Sequence, residues 1–181
     1  MNKNWVQEYT MQLFKKFQFN KKYTSMKKIV LLLLISFTAT SASIAQPKTG
    51  TVVPNFTLKN KLNDDVSLAS FTGKVVLIDF WASWCGPCRA SNKELKRLYA
   101  KYNQQGFEIF SISVDQSKAD WLQAIKEDNT KWTHVIDNGG MLANSWNVAY
   151  IPNTFLLNKD RKLIAVNLNG KALENKIKSL L

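Results

Sequence analysis

Apolar residues follow two rhythms along residues 46–181, and their alternation outlines an α/β domain. Lys74–Trp81 (KVVLIDFW) is apolar almost without a break and rich in β-branched residues, the pattern of a central strand buried on both faces. Phe107–Val114 repeats it. Between them Leu95, Leu98, Tyr99 and Tyr102 recur at helical spacing, which predicts a helix from Pro87 to Gln104 with Gly106 as its stop. Shorter strands are predicted at Thr51–Leu58 and Val66–Leu68, around the polar turn Asn60–Asp65. A second helix is expected over Ser117–Asp128. Ser117 and Asp120 form its S-x-x-D start, and Trp121, Leu122 and Ile125 its apolar face. Thr133–Ile136 reads as a short strand and Met141–Trp146 as a short helix. Thr154–Leu157 and Lys162–Leu168 flank the turn Asn158–Arg161 as a hairpin. A last helix after Gly170 buries Leu173, Ile177 and Leu180 or Leu181. The order β-α-β, then β-β-α, predicts a central mixed sheet with helices on both faces.

The 181 residues leave room for this one domain, 46–181, and a presequence, 1–45. Lys27 and Lys28 precede the apolar run Ile29–Phe37, and small and polar residues lead to Ser43-Ile44-Ala45. That order is a secretory signal peptide at 26–45, expected to be cleaved after Ala45 with export to the periplasm. The apolar run is short for a membrane span, which takes ~20 residues; left uncleaved, the segment would be an interfacial membrane anchor. No cysteine near the cut provides for a lipid anchor. Residues 1–25 are basic and aromatic with no evident cap or core partner. Met26 opens a complete signal peptide on its own and is the expected start of translation. Residues 1–45 carry seven lysines against one acid, half of the net charge of +12. The remaining excess is scattered, without the basic run and aromatic interleaving of a nucleic-acid module, so no nucleic-acid partner is expected.

Both cysteines of the chain lie in one C-x-x-C, Cys85-Gly86-Pro87-Cys88, where the buried strand ends and the first long helix begins. A lone close pair is a catalytic pattern rather than a disulfide framework. Residues three apart in a first helical turn are neighbours, so the pair can close a disulfide. Cys85 falls at the helix N-terminus, where unpaired N–H groups and the macrodipole favour an anion, and is the attacking thiolate. Cys88, one turn in, is the resolving thiol. Pro87 suits the first turn because its missing N–H would be orphaned anyway. A structural zinc site would need four ligands, and only His134 remains to join the two thiols; no metal is expected.

The run Asp79-Phe80-Trp81-Ala82-Ser83-Trp84-Cys85-Gly86-Pro87-Cys88 closely resembles the active-site segment of thioredoxins. With the N-terminal strands, the signal peptide and the longer segment after Val114, residues 51–181 resemble the TlpA/ResA-like branch of secreted thiol-disulfide oxidoreductases. The resemblance implies a thioredoxin-like fold with an N-terminal strand extension and an inserted α/β segment, Asp115–Ala149, that shapes one side of the site. It implies that Asp79, a carboxylate in an apolar strand whose burial should raise its pKa, assists proton transfer at Cys88; a structural carboxylate bonded within the sheet is the alternative. It places a cis-proline at Pro152, with the backbone at Ile151 pairing an extended substrate. Trp81 and Trp84 support the site, Trp84 as an apolar contact surface and Trp81 partly as core. Trp121, Trp132, Trp146 and His134 read as structural. Arg89 either supports the Cys85 thiolate or is a solvated helix residue. Two departures stand out. Ser91 and Lys93 occupy positions where many relatives carry a glutamate and a proline, which weakens transfer of a cytochrome-maturation role. Ser111 stands where cytosolic thioredoxins often have a lysine, leaving Asp79 without a charged partner.

The leading expectation is an exported reductase of protein disulfides. Gly86-Pro87 places no histidine or cation inside the motif to over-stabilise the thiolate, and a less stabilised reduced form is the better reductant. It would act on disulfide-bearing client proteins, draw electrons from a membrane dithiol donor, and need no cofactor beyond the cysteine pair. A disulfide oxidase or isomerase shares the same chemistry. A copper-binding chaperone on this fold would call on His134 or Met141. A thiol peroxidase would place its cysteine in a P-x-x-x-(T/S)-x-x-C context, which Cys85 lacks.

Overall fold

The computed structural model describes residues 8–13, 15 and 47–181. Residues 8–13 and 15 are helical. The segment 26–45 expected to be a signal peptide, with its apolar run and the cleavage expected after Ala45, lies outside the described residues. Among the described residues no helix is long and apolar enough to cross a membrane.

The chain runs through β1 (Thr57–Asn60), β2 (Asp65–Ser67), a 3-10 turn (Leu68–Phe71), β3 (Val75–Trp81), α1 (Gly86–Tyr102) and β4 (Phe107–Ser113). It continues through α2 (Lys118–Asp128), β5 (Thr133–Ile136), α3 (Met141–Ser145), β6 (Asn153–Leu157), β7 (Leu163–Val166) and α4 (Gly170–Leu180). The strands form one sheet in the order β2-β1-β5-β4-β3-β6-β7. β3, β4 and β5 are parallel, and the outer pairs are antiparallel. This is the mixed sheet that the hydrophobic pattern predicts. Its two continuously apolar strands, β3 and β4, are buried at every position and lie side by side at its centre.

Alternation along β3 divides the core. Val75 and Leu77 pack with Leu95 and Leu98 of α1, Leu173 and Ile177 of α4, and Trp132. Val76, Ile78 and Phe80 pack on the other face with Phe110, Phe155, Trp146 and the 3-10 turn. Trp81, two residues beyond Asp79, meets Cys85, Cys88 and Trp121. The cap signals act as expected. Ser117 Oγ accepts the Asp120 N–H at 3.3 Å. Gly106, at φ 96°, turns the chain from the end of α1 into β4, a conformation that needs no Cβ penalty only at glycine.

One strand differs from expectation. Instead of a single strand over Thr51–Leu58, residues 50–53 lie against the start of β7, with one bridge between Val52 and Lys162 and the Val53 N–H donated to the Arg161 carbonyl. The chain then crosses the sheet face through Pro54 and Asn55 and pairs as β1 with β2 and β5 at the opposite edge. Pro54 has no N–H to continue a ladder. The apolar residues that suggested a strand instead point down from the crossing: Val53 is fully buried, and Phe56 packs its ring 5.9 Å from Phe110 and 5.6 Å from Trp146. The remaining differences are at ends. Leu68 begins the 3-10 turn rather than ending β2, and β7 stops at Val166 because Asn167 adopts φ 56°.

Trp146 is 1% exposed and its ring touches Phe56, Phe80 and Phe155. Trp146→Ala should lower the unfolding free energy by about 3–5 kcal/mol, the usual cost of emptying a large aromatic site, as read by denaturant unfolding.

Candidate active site

β3 delivers the chain to the C-terminal edge of the sheet, and α1 starts five residues later. Cys85 is the N-cap of α1, with extended backbone (φ −82°, ψ 96°), and its Sγ accepts the Cys88 N–H at 3.2 Å. Capping normally falls to a side-chain oxygen; here the sulfur takes that place, facing the N–H groups that favour an anion. Cys85 and Cys88 are joined in a disulfide with Cα atoms 5.2 Å apart. Both residues are buried, Cys85 at 5% and Cys88 at 2% exposure. Gly86 has no positive φ, and an added Cβ there would meet no atom within 4 Å. The glycine therefore leaves open space beside the dithiol rather than relieving a clash.

The turn before Cys85 is gripped from two sides. Asp115, just beyond β4 and 2% exposed, accepts the Ser83 N–H at 2.9 Å, the Ser83 hydroxyl at 2.7 Å and the Ser113 hydroxyl at 2.6 Å. Arg89 donates to the Ser83 carbonyl at 3.3 Å. The same guanidinium is anchored on α2, to Asp128 at 2.6 Å and Glu127 at 2.9 Å. Asn92 adds a bond to Asp128 at 2.6 Å. Arg89 is thus neither a free solvated residue nor committed to Cys85: its charge goes to the α2 carboxylates, and although burial pushes Asp128 up, the hydrogen bonds from Arg89 and Asn92 hold it below the usual carboxylate range.

Asp79 lies on the α1 face of β3, between Leu77, which packs on α1, and Trp81, which packs on the cysteines. Its register partners are Ser111 on β4 and Thr154 on β6. Ser111 donates its hydroxyl to Asp79 Oδ2 at 3.0 Å. Burial pushes the carboxyl up to about 6, and the Ser111 hydrogen bond restrains the rise.

On the outside, Trp84 is 70% exposed, while Trp81 is 2% exposed and belongs to the core. The Ile151–Pro152 peptide is cis. Ile151 packs against the cluster containing both cysteines. Pro152 borders a groove of about 280 Å³ with Ser91 and Glu94 of α1, Tyr150, Thr154 and Asn167. Ser91, one of the two expected departures, donates its hydroxyl to the Cys88 carbonyl at 2.8 Å. His134 is buried between Trp81 and Trp132, with Nε2 and Thr130 Oγ1 at 2.8 Å. Met141 is 78% exposed beside a different groove, with Phe56 and Leu58. No group of three His, Cys, Asp or Glu that could hold a metal occurs among the described residues.

Sequence reasoning missed Asp115, Ser83 and the anchor at Asp128. Nothing local marks them, since the contacts join residues more than 30 apart; the one available signal was an acid directly following an apolar buried strand. Trp132, expected as a core or interface residue, is buried at 5% exposure. Its N–H is donated to the Ser111 hydroxyl at 2.8 Å, as a buried indole normally finds an acceptor.

A disulfide-forming C-x-x-C at a helix N-terminus, following a central strand with a buried carboxylate on this mixed sheet, defines a thioredoxin-fold thiol-disulfide oxidoreductase. The Redoxin family profile matches residues 48–181, and the chain belongs to that family. It is similar to thiol-disulfide oxidoreductase ResA of Bacillus cereus, 29% identical over 151 residues that cover 80% of this chain and 87% of that one. ResA of Bacillus subtilis is 28% identical over 152 residues, 82% and 84% of the two chains. Among solved structures, the C-terminal domain of a thiol-disulfide oxidoreductase from Bacteroides thetaiotaomicron aligns with TM-score 0.70 and 35% identity, covering 75% of this chain and 97% of that one. A thiol:disulfide interchange protein DsbE from Chlorobium tepidum aligns with TM-score 0.67 and 29% identity over 75% and 96%. The type is the TlpA/ResA/DsbE group that the sequence resembles.

Two measurements probe this geometry. Asp79 holds its proton more tightly folded than unfolded, so its contribution to stability is fully present below about pH 4 and is lost as pH rises through about 6. Between pH 4 and 7 the stability difference should therefore move in favour of Asp79→Asn over the parent by about 2 kcal/mol, measured by urea unfolding of the oxidised proteins. Asp115→Asn leaves one acceptor oxygen for three donors. It should destabilise by about 1–3 kcal/mol and speed hydrogen exchange at the Ser83 amide.

Proposed function

We propose that the chain reduces protein disulfides outside the cytoplasm through a mixed disulfide at Cys85. The observation that carries this reading is Cys85 as the N-cap of α1, its sulfur accepting a backbone N–H. In the reduced protein that position favours the thiolate. The Cys85 thiolate attacks one sulfur of a client disulfide, forming the Cys85–client S–S bond and releasing the other client sulfur as a thiolate that takes up a proton. Cys88 then loses its proton to Asp79, directly or through water, and attacks Cys85 Sγ. The Cys85–Cys88 disulfide forms, the mixed disulfide breaks, and the second client thiol leaves. Two electrons pass from the protein dithiol to the client. A carboxyl with pKa near 6 suits that transfer at neutral pH.

The client segment lies extended against the backbone at Ile151, before cis-Pro152, with exposed Trp84 as an apolar contact and the groove beside Pro152 receiving a flanking side chain. The reducing direction is supported by what Arg89 does. The nearest cation on α1 is spent on Asp128 and Glu127, and Gly86-Pro87 supplies none, so Cys85 has no added charge to stabilise its reduced form. The signal peptide at 26–45 directs export to the periplasm, and re-reduction there falls to a membrane dithiol donor. No cofactor beyond the cysteine pair takes part.

The test is the reduction potential of the Cys85–Cys88 couple, equilibrated against dithiol buffers. A value near thioredoxin's, about −270 mV, is expected; a value near about −120 mV, that of the oxidant DsbA, would make this a disulfide-forming enzyme. Cys88→Ser should accumulate the client mixed disulfide on non-reducing gels, and Cys85→Ser should form none.

A further inference from the structure

The hydroxyl that touches Asp79 is itself held. Ser111 Oγ receives the Trp132 indole N–H at 2.8 Å and lies 3.0 Å from Asp79 Oδ2. All three residues are buried, at 1%, 5% and 3% exposure. An indole N–H only donates, whereas a hydroxyl has one proton to give and two lone pairs to receive. With one lone pair taken by Trp132, the Ser111 proton is directed at the carboxylate. The indole is fixed in turn by its neighbours: Tyr99 of α1 stands edge-on at 5.7 Å, and His134 stacks at 5.6 Å.

We infer that Trp132 and Ser111 are positioning residues for the proton at Asp79: they lock the Ser111 hydroxyl as a donor to Oδ2 and leave Oδ1 as the oxygen that takes up and releases the proton. The consequence for exchange chemistry rests on the proposed role of Asp79 at Cys88. A permanent donor at Oδ2 stabilises the carboxylate over the acid, offsetting part of the burial that opposes it. A neutral serine and tryptophan thereby do part of what a nearby cation would do. The other titratable groups on this face are few. His134 on β5 is neutral, held down to about 3 chiefly by burial and less by Lys61, against a small opposing effect of Asp128. Tyr99 on α1 keeps its proton, pushed up to about 12 by burial and by Glu108. Thr154, the register partner on β6, carries no charge. Cys85, the N-cap of α1, and Cys88 do not titrate while joined.

The experiment uses the oxidised full chain, in which the cysteines are silent. Carboxyl-13C aspartate is titrated by NMR, and the Asp79 resonance is identified by its loss in Asp79→Asn. The Asp79 midpoint should rise by about one pH unit in Ser111→Ala, since the lost bond went to a charged acceptor. It should rise by less in Trp132→Phe, where the hydroxyl remains but is no longer steered, and return to the parent value in Ser111→Thr. Midpoints unchanged in both Ser111→Ala and Trp132→Phe, with only thermal stability lowered, would overturn the inference and leave the pair a packing contact. A downward shift in Ser111→Ala would overturn it too. The pH dependence of client disulfide reduction, measured alongside, tests the other premise. If Asp79→Asn leaves that profile unchanged, the role of Asp79 in exchange fails, while the titration still decides the action of Ser111 and Trp132.

Discussion

β3 is hydrogen-bonded along both edges, parallel to β4 and antiparallel to β6, and every side chain on it is buried. A slip of one residue would turn every side chain to the other face. It would drive the Asp79 carboxylate into the aromatic cluster of Phe80, Phe155 and Trp146 and bring Phe80 under α1. The register is therefore tightly specified by hydrophobic burial, and three features of the site follow from it. Asp79 is opposite Ser111. Trp81 lies against the cysteines. The strand ends where α1 can begin on Cys85.

Around that fixed strand the site is assembled from hydrogen bonds rather than from charge. The sulfur of Cys85 has a backbone N–H, the turn before it has a buried carboxylate at Asp115, and Asp79 has a hydroxyl steered by an indole. Arg89 of α1 is paired with two acids of α2 while its Nη1 group steadies the Ser83 carbonyl. Such an arrangement orients the dithiol through hydrogen bonds and directs the charge of Arg89 to α2. It also ties the segment after Val114 to the active-site turn, so the insertion acts on the site through Arg89 as well as by widening the sheet with β5.

Much was legible along the chain because it is local. Continuous apolar runs marked β3 and β4, the period of Leu95, Leu98 and Tyr102 marked α1, and the C-x-x-C declared itself by standing at their junction. The hairpin of β6 and β7 and the cap at Ser117 were likewise short-range signals. The Thr51–Leu58 segment misled because a chain crossing a sheet face and a strand within the sheet both need alternate apolar residues; only the partners, β7 at one end and β5 at the other, distinguish them.

By itself, then, the sequence determined the secondary-structure order, the burial of the two central strands, the place of the dithiol and the presence of a carboxylate in an apolar strand. These depend on propensity, periodicity and spacing within a few residues. Tertiary structure alone decided which groups meet across the sheet and between helices: Ser83 with Asp115, Arg89 with Asp128, and Trp132 with Ser111. Those partners are brought together by strand order and helix packing, and a hydrogen bond between residues far apart in sequence leaves no mark in either local pattern.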